Sequence, residues 1–492
     1  MLFNSFEFLF FFPIVTAIYF LLPHKFRWFH LLVASCIFYM AFIPVYIFIL
    51  LFTIVIDYFA GIMIENAEGK KRKYFLILSI VANVGVLCVF KYYNFFVGNM
   101  DALLHLAHIN TLPIPYLYII LPLGLSFHTF QAMSYTIEVY RGNQKAERHF
   151  GIYALYVMFY PQLVAGPIER PQNLIHQFHE KHMFDYQRVV SGLKLMAWGM
   201  FQKVVIADRL ARVADNVFDH SSNFQGLALV IGVVFFTFQI YCDFAGYSDI
   251  AIGAAQVMGF DLMKNFNNPF QAKTIAEFWN RWHISLTTWF RDYIFYPLSI
   301  SFSKRKGNRA LKLYINVFLV FLISGLWHGA NWTYVVWGGL HGLYLVFATI
   351  TRNRREGLEQ FTGLSRFPAL SGLIDKFLVF SLVCLAMIFF RAKRISIALN
   401  LIPGIFKGWH FGLHYFSSTL VSLGIDSKDF YFSVLLIFFL EAVHYYQEKR
   451  GSMREFISLK PPIVRWAIYY SLLFTIMFWG VYEHRQFIYF QF

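Results

Sequence analysis

Charged side chains are scarce in this sequence. Asp, Glu, Lys and Arg make up 14% of the 492 residues, whereas about 25% is usual for a soluble globular domain. Apolar residues make up 58%, and no polar block is long enough to fold as a soluble domain. This composition excludes a soluble fold and predicts an integral membrane protein that crosses the bilayer several times.

Cysteine is also scarce, and the signatures of several enzyme classes are absent. The four cysteines lie in or beside apolar runs, with neither metal-ligand spacing nor a disulfide framework: Cys36, Cys88, Cys242 and Cys384. The sequence has no P-loop, no G-x-G-x-x-G, no H-E-x-x-H and no G-x-S-x-G. We therefore predict no bound cofactor and no metal site, and a Ser-His-Asp hydrolase is disfavoured.

Positive charge is the exception to this scarcity, with a formal net charge of +15. The basic residues form short clusters between apolar runs, at 70–73, 304–306 and 352–355. Nucleic-acid binding would need them gathered on one soluble face, whereas the cytoplasmic loops of membrane proteins carry clusters of this kind. We therefore predict no nucleic-acid partner.

Apolar runs of about 20 residues mark the candidate membrane spans. We predict about eleven full crossings, give or take two, with further short or re-entrant helices. The candidate runs lie at roughly 8–23, 28–43, 45–64, 74–98, 115–139, 151–166, 189–207, 224–241, 312–328, 332–350, 372–390, 428–446 and 461–482.

The distribution of charge around these runs predicts the orientation of the chain. Glu7 precedes the first run and basic residues follow it, which favours a retained span with its N-terminus outside. The cluster 70–73 then falls inside, and the stretch 99–114, which has no Lys or Arg, falls outside. The basic residues of 391–394 fall outside by the same counting, which predicts a missed re-entrant segment or a surface-lying stretch near 392–412.

The middle of the chain, residues 239–302, mixes charges, Gly, Asn and aromatic residues. Polar groups at membrane depth survive only where protein or a water-filled cavity surrounds them, so this region is predicted to form the interior of a site. We see no internal repeat. A single domain over 1–492 is predicted, with N-terminal helices in 1–150, a core containing the site in 151–350 and C-terminal helices in 351–492.

Two motifs in this core carry histidine among polar and aromatic residues. The segment 277–297 surrounds His283 with tryptophans, and the segment 324–332 places His328 in a Gly-flanked break after an apolar run. The first segment is also compatible with an interfacial amphipathic helix. His328 is also compatible with an interfacial residue or a cation at a helix end.

The chemistry of imidazole favours a functional role over these alternatives. An ionisable residue at membrane depth is a functional candidate, and imidazole takes a proton near neutral pH. We predict that His328 is a general base and that His283 orients it or the acyl donor. Six residues, all within 239–332, are predicted to bind substrate: Gln239, Asp243, Arg281, Trp282, Trp327 and Asn331.

Two further predictions are structural. Glu277 and Arg281 are spaced four residues apart, so they are expected to form a salt bridge on one helical face. Two other histidines within apolar spans, His128 and His341, are expected to be buried core residues.

Several segments together resemble the membrane-bound O-acyltransferase (MBOAT) family, and they are spread over nearly the whole chain: 2–6, 90–95, 166–170, 241–249, 278–297, 325–329 and 389–391. The likeness is to the bacterial alginate O-acetylation branch and, more distantly, to teichoic-acid D-alanylation proteins. The resemblance implies an all-α ring of about eleven tilted transmembrane helices, with re-entrant and short helices, around a central tunnel. It places His328 at the family's invariant His and His283 at its second polar position.

The resemblance also implies a reaction. Members of this branch are expected to take an acetyl group from acetyl-CoA, or from an acyl carrier, on the cytoplasmic side. They pass it to an exported polysaccharide such as alginate, directly or through a secreted SGNH-type acetyltransferase partner. The implied location is the bacterial inner membrane, where a multi-pass protein is surrounded by lipid.

Three alternatives stay open at this point. The protein could transfer D-alanyl or another acyl group to a cell-wall polymer, or it could be a transporter or flippase for a polysaccharide precursor. The usual signature of such transporters is a pair of repeated halves, which we do not find. The third alternative is a structural subunit that docks a secreted enzyme. The acceptor polymer, the partner and the oligomeric state do not follow from the sequence.

Overall fold

The structure is a computed structural model that describes residues 1–109, 114–482 and 487–488. Helices α1 to α12 are Phe6–Leu21, His24–Met40, Ile47–Asn66, Gly69–Leu87, Tyr93–Leu106, Leu125–Arg141, Phe150–Met158, Tyr160–Leu163, Pro171–His179, Tyr186–Met200, Asp208–Asp219 and Leu227–Met258. Helices α13 to α24 are Ile275–Arg281, Ile284–Phe290, Tyr296–Ser303, Arg309–His328, Trp332–Ile350, Arg352–Phe361, Pro368–Arg391, Ile395–Ile405, Leu413–Ser422, Ser427–Arg450, Met453–Ser458 and Pro462–Trp479. These residues contain no strand, so the predicted all-α class is confirmed.

Nine helical segments of the described residues are long and apolar enough to cross a membrane: Pro44–Asn66, Gly69–Leu106, Tyr186–Asp219, Leu227–Met258, Arg309–His328, Trp332–Ile350, Pro368–Arg391, Ser427–Arg450 and Pro462–Trp479. Two shorter helices, α1 and α20, are also apolar. Of the 18 residues of α24, Ile476 alone is buried. Large apolar side chains on its surface therefore face the surroundings, and lipid is the solvent that accepts them. The multi-pass membrane protein predicted from composition is confirmed.

The predicted run 224–241 ends too early, because α12 continues to Met258. The polar residues that suggested an end are accommodated inside the protein. The Asp243 carboxylate lies 2.6 Å from the Lys203 ammonium, and both side chains are buried. A buried charge is tolerated in a helix when a well-placed opposite charge offsets its desolvation.

Two other predicted runs also differ from the observed helices. In the run 115–139 the helix begins only at Leu125, after Gly124 in the left-handed conformation (φ 71°). The run 151–166 is split into α7 and α8, and Pro161 lies in the first turn of α8. Proline restricts the residue before it and pre-sets the first turn of a new helix, so it favours a break at this point.

The chain forms two compact units, and the first comprises Met1–Ala197 and Tyr247–Lys264. Buried polar contacts connect three of its helices. Asp57 of α3 accepts hydrogen bonds from Ser79 and Asn83 of α4 at 2.6 and 2.8 Å. The Ser79 hydroxyl also lies 3.0 Å from the hydroxyl of Thr136 on α6. Buried polar groups of this kind are stable only when they are hydrogen-bonded, so the network fixes the relative positions of the three helices.

The second unit comprises Trp198–Gly246 and Asn265–Phe492. In it, α16 and α17 form a hairpin and α17 also packs against α19. The basic residues at the end of α19 and just after it have acidic partners, because Arg391 lies 2.9 Å from Asp215 and Lys393 lies 2.9 Å from Asp219.

The stretch near 392–412, predicted to be re-entrant or to lie on the membrane surface, contains α20, which has 11 residues. A helix of this length is about 16 Å long, whereas a bilayer core is about 30 Å thick. Helix α20 is therefore too short to cross.

Candidate active site

His328 is the last residue of α16 and lies in a box of aromatic rings. The centroid of its imidazole is 5.0 Å from the ring of Trp327, 4.9 Å from Trp337 and 5.3 Å from Phe390. Only 4% of the residue is exposed. Gly329 ends the helix in an extended conformation, so the chain turns away directly after the imidazole.

The aromatic box depends on the close approach of α16 and α17. A Cβ atom on Gly325 would collide with the backbone oxygen of Tyr334, and one on Gly338 would collide with the backbone oxygen of Phe321. Small residues at a helix interface allow backbones to approach in this way. The hairpin therefore holds the ring of Trp337 against His328.

His283 precedes α14 and adopts the left-handed conformation (φ 44°), which is uncommon for a residue other than glycine. Its Nδ1 lies 3.0 Å from Oδ1 of Asn265. The same oxygen accepts from the hydroxyl and the backbone N–H of Ser285, which identifies it as the amide oxygen. Nδ1 of His283 therefore carries the proton and donates it, and Nε2 is the acceptor nitrogen.

His283 is fully enclosed by protein. Its ring centroid lies 4.6 Å from the ring of Phe244 and 6.2 Å from the ring of Trp327. Burial lowers the pKa of His283 to about 3, so the imidazole is neutral near pH 7. Because Trp327 also contacts His328, the two motifs that the sequence analysis singled out meet at this tryptophan.

Two of the predicted substrate-binding residues directly precede His283. Arg281 lies 2.6 Å from Glu277 and 2.7 Å from Glu448, so the predicted salt bridge with Glu277 is confirmed. Trp282 is buried and stacks on Phe278 with ring centroids 5.4 Å apart. The guanidinium is thus bound by two carboxylates of the protein, and its contact with substrate stays a prediction.

Three further predicted residues lie on α12 or at the start of α17. Asp243 pairs with Lys203 and accepts the backbone N–H of Ile488 at 2.8 Å. Asn331 caps α17 by accepting the N–H two residues on, at 3.0 Å. Gln239 is buried on α12, one turn before Asp243. These contacts give Asp243 and Asn331 structural partners, and substrate binding by all three stays a prediction.

Sequence reasoning missed several residues that surround the imidazoles. Trp337 and His341 lie four residues apart on α17, so their spacing was a signal for a shared helical face. His341 is buried as predicted and accepts the indole N–H of Trp279 at 3.3 Å. Asn265 and Phe390 lie in segments that the sequence analysis singled out, but their contacts with the imidazoles depend on tertiary structure.

The arrangement offers proton transfer. His328 places an imidazole, a side chain suited to accept a proton, at the end of a membrane helix. His283 presents a neutral acceptor nitrogen beside the shared tryptophan. In the part of the chain that the structure describes, no three His, Cys, Asp or Glu side chains are grouped to hold a metal ion.

Comparison with known proteins identifies the family. Residues 147–391 match the model of the membrane-bound O-acyltransferase family, MBOAT, and this range includes both histidines. The chain is 36% identical to the probable alginate O-acetylase AlgI of Pseudomonas aeruginosa over 413 residues, which are 83% of this chain and 75% of that protein. It is 35% identical to the peptidoglycan O-acetyltransferase of Helicobacter pylori over 403 residues, 76% of this chain and 72% of that protein.

A third relative is the teichoic acid D-alanyltransferase of Streptococcus thermophilus. It is 30% identical over 290 residues, which are 53% of this chain and 68% of that protein. The three relatives are named for the transfer of an acyl group, as the matched family is. The chain therefore belongs to the membrane-bound O-acyltransferase family and is a multi-pass O-acyltransferase of the membrane.

Proposed function

We propose that the protein transfers an acetyl group from acetyl-CoA, a cytoplasmic thioester donor, for the O-acetylation of an exported polysaccharide such as alginate. Two relatives that match about three quarters or more of this chain are named for O-acetylation, of alginate and of peptidoglycan. The D-alanyltransferase matches a smaller share, 53%. The names therefore favour acetyl over D-alanyl as the acyl group.

The observation that carries the proposal is the buried imidazole of His328 at the end of a membrane helix, inside three aromatic rings. As general base, His328 takes the proton of the attacking hydroxyl while the oxygen bonds to the thioester carbon. It then returns that proton to the departing sulfur. The rings exclude water from this position, which protects the thioester from hydrolysis.

His283 supports this base without being ionised. The hydrogen bond to Asn265 fixes its tautomer, so its Nε2 can only accept a proton or a hydrogen bond. In this role it orients His328 or the acyl donor.

The donor and the acceptor approach from opposite sides of the membrane. The clusters 70–73 and 352–355 are basic, and in cytoplasmic loops they attract an anionic donor such as acetyl-CoA or an acidic acyl carrier. On the other side, a secreted SGNH-type acetyltransferase receives the acetyl group and passes it to the polysaccharide.

The test is acetyl transfer from radiolabelled acetyl-CoA by the purified protein in lipid nanodiscs, with a hydroxyl-rich oligosaccharide as acceptor. Replacing the base, His328→Ala, is expected to lower the rate about 10²- to 10⁴-fold. The matched control is His414→Ala, an exposed histidine of α21, which is expected to leave the rate unchanged. Full turnover by His328→Ala would remove His328 from the mechanism, and turnover of a D-alanyl thioester alone would overturn the choice of acetyl.

A further inference from the structure

Helix α17 presents two buried nitrogen-bearing rings on one face. Trp337 and His341 are four residues apart, and their ring centroids lie 5.0 Å from each other. Exposure of both residues is at most 1%. The ring of Trp337 also lies 4.9 Å from the imidazole of His328, so Trp337 contacts the proposed base directly and His341 lies one helical turn further along α17.

Both rings carry a hydrogen-bond donor. The indole nitrogen of Trp337 can only donate. The indole N–H of Trp279 donates to Nδ1 of His341 at 3.3 Å, so that nitrogen is the acceptor of a neutral imidazole. The proton of His341 therefore resides on Nε2, and α17 offers two N–H donors one helical turn apart.

Neither donor has a partner among the residues that the structure describes. Nε1 of Trp337 and Nε2 of His341 are buried and make no hydrogen bond to these residues. Buried donors in folded proteins are almost always paired, and leaving one unpaired lowers stability. Two such donors, one of them on a ring that contacts the proposed catalytic base, point to a ligand that supplies an acceptor oxygen.

We propose that the N–H groups of Trp337 and His341 bind the carbonyl oxygen of the acyl group and stabilise the oxyanion formed on it. This inference rests on the proposed acyl transfer with His328 as base. When the hydroxyl oxygen bonds to the thioester carbon, the C=O π pair moves onto the carbonyl oxygen and the hydroxyl proton moves to His328. The two N–H groups donate to that oxyanion. The C=O bond then re-forms, the C–S bond breaks, and the sulfur leaves with the pair and recovers the proton.

Two matched substitutions at His341 test the donor itself. Glutamine and methionine have similar size and flexibility, but only glutamine retains an N–H donor. His341→Gln is expected to keep at least ten times the kcat of His341→Met, and KM for acetyl-CoA is expected to change less than threefold in both. Equal kcat values for the two variants would overturn the proposal.

Trp337→Phe removes the second donor and keeps an aromatic ring. It is expected to lower kcat about 10²- to 10³-fold, as expected for the loss of one oxyanion donor. The control is Trp332→Phe, an exposed position of the same helix that should leave kcat unchanged. Full kcat in Trp337→Phe would contradict the assignment.

A spectroscopic readout separates this inference from the proposed function. Acetyl-CoA labelled with ¹³C at the carbonyl is bound to the protein without acceptor, and the infrared stretch of the carbonyl is recorded. Two donated hydrogen bonds should lower its frequency in the wild type, and His341→Met should restore part of it. A bound carbonyl with the same frequency in both proteins would overturn the donor pair alone. No bound carbonyl in the wild type would overturn acetyl-CoA as donor and, with it, the inference.

Discussion

At the scale of single residues, the site keeps a histidine neutral by enclosing it. Burial lowers the pKa of His283 to about 3, below its ordinary value of 6.5. The unfolded chain therefore binds more protons than the folded protein between these two values, and the stability of the fold falls as pH drops from about 6.5 toward 3. The hydrogen bond from Nδ1 to Asn265 persists throughout this window, because that nitrogen is already protonated.

This difference in the pKa of His283 predicts that the fold loses stability in acid because of this one side chain. At pH 5 the fold is about 2 kcal/mol less stable than above pH 6.5, because folding must release the proton that His283 carries in the unfolded chain. His283→Asn removes the titrating group, and asparagine tolerates the left-handed backbone. The thermal midpoint in detergent should fall less between pH 7.5 and pH 5 in this variant than in the wild type. The control is His108→Asn, because His108 is exposed and also has a positive φ of 56°. An equal fall in the His283→Asn variant and the wild type would contradict the assignment.

At the scale of secondary structure, the contact between α16 and α17 positions the aromatic box around His328. The contact has no room for a methyl group at Gly338, but the adjacent Gly339 has ordinary space, with its nearest neighbour at 3.5 Å from a built Cβ atom. Gly338→Ala should therefore separate the helices and cost about 1–3 kcal/mol. A shift of about 1 Å in the ring of Trp337 should also lower acyl transfer about 10²-fold.

The matched control for this element is Gly339→Ala, in which the same substitution meets no backbone. It should leave transfer unchanged and keep or slightly raise the thermal midpoint, because alanine favours a helix over glycine. Measurements of the thermal midpoint and kcat of the two variants in detergent test whether the close approach at Gly338 positions the site. If the two variants behave alike, the close approach at Gly338 does not position the site.

The same elements show what the sequence could and could not predict. Apolar runs predicted most long helices, since a span needs continuous hydrophobicity and little else. The end of α12 was misplaced because the pairing of Asp243 with Lys203 depends on residues far apart in the sequence. The two histidine motifs could be identified locally, but the contacts that Asn265, Phe390 and the donors of α17 make around them could not. Their roles come from tertiary contacts and from a tautomer that only the contact with Trp279 defines.

At the scale of the whole molecule, charge distribution determines which way the protein faces. The segment Gly69–Leu106 has 38 residues, basic at its beginning, and its end lies in the stretch without Lys or Arg. At 1.5 Å per residue it is about 57 Å long, longer than the bilayer core of about 30 Å, so its two ends emerge on opposite sides. The positive-inside rule then assigns the basic end to the cytoplasm.

Site-directed labelling in intact cells tests this orientation. In a variant without native cysteines, Ala102→Cys should react with a membrane-impermeant maleimide added outside, because position 102 is exposed near the outer end. Lys71→Cys should react only after the cells are permeabilised. The four native cysteines must be replaced first, since Cys88 is exposed and lies within the same segment. The reverse pattern would invert the whole molecule, and the basic clusters 70–73 and 352–355 would then face away from the cytoplasmic donor that they are proposed to attract.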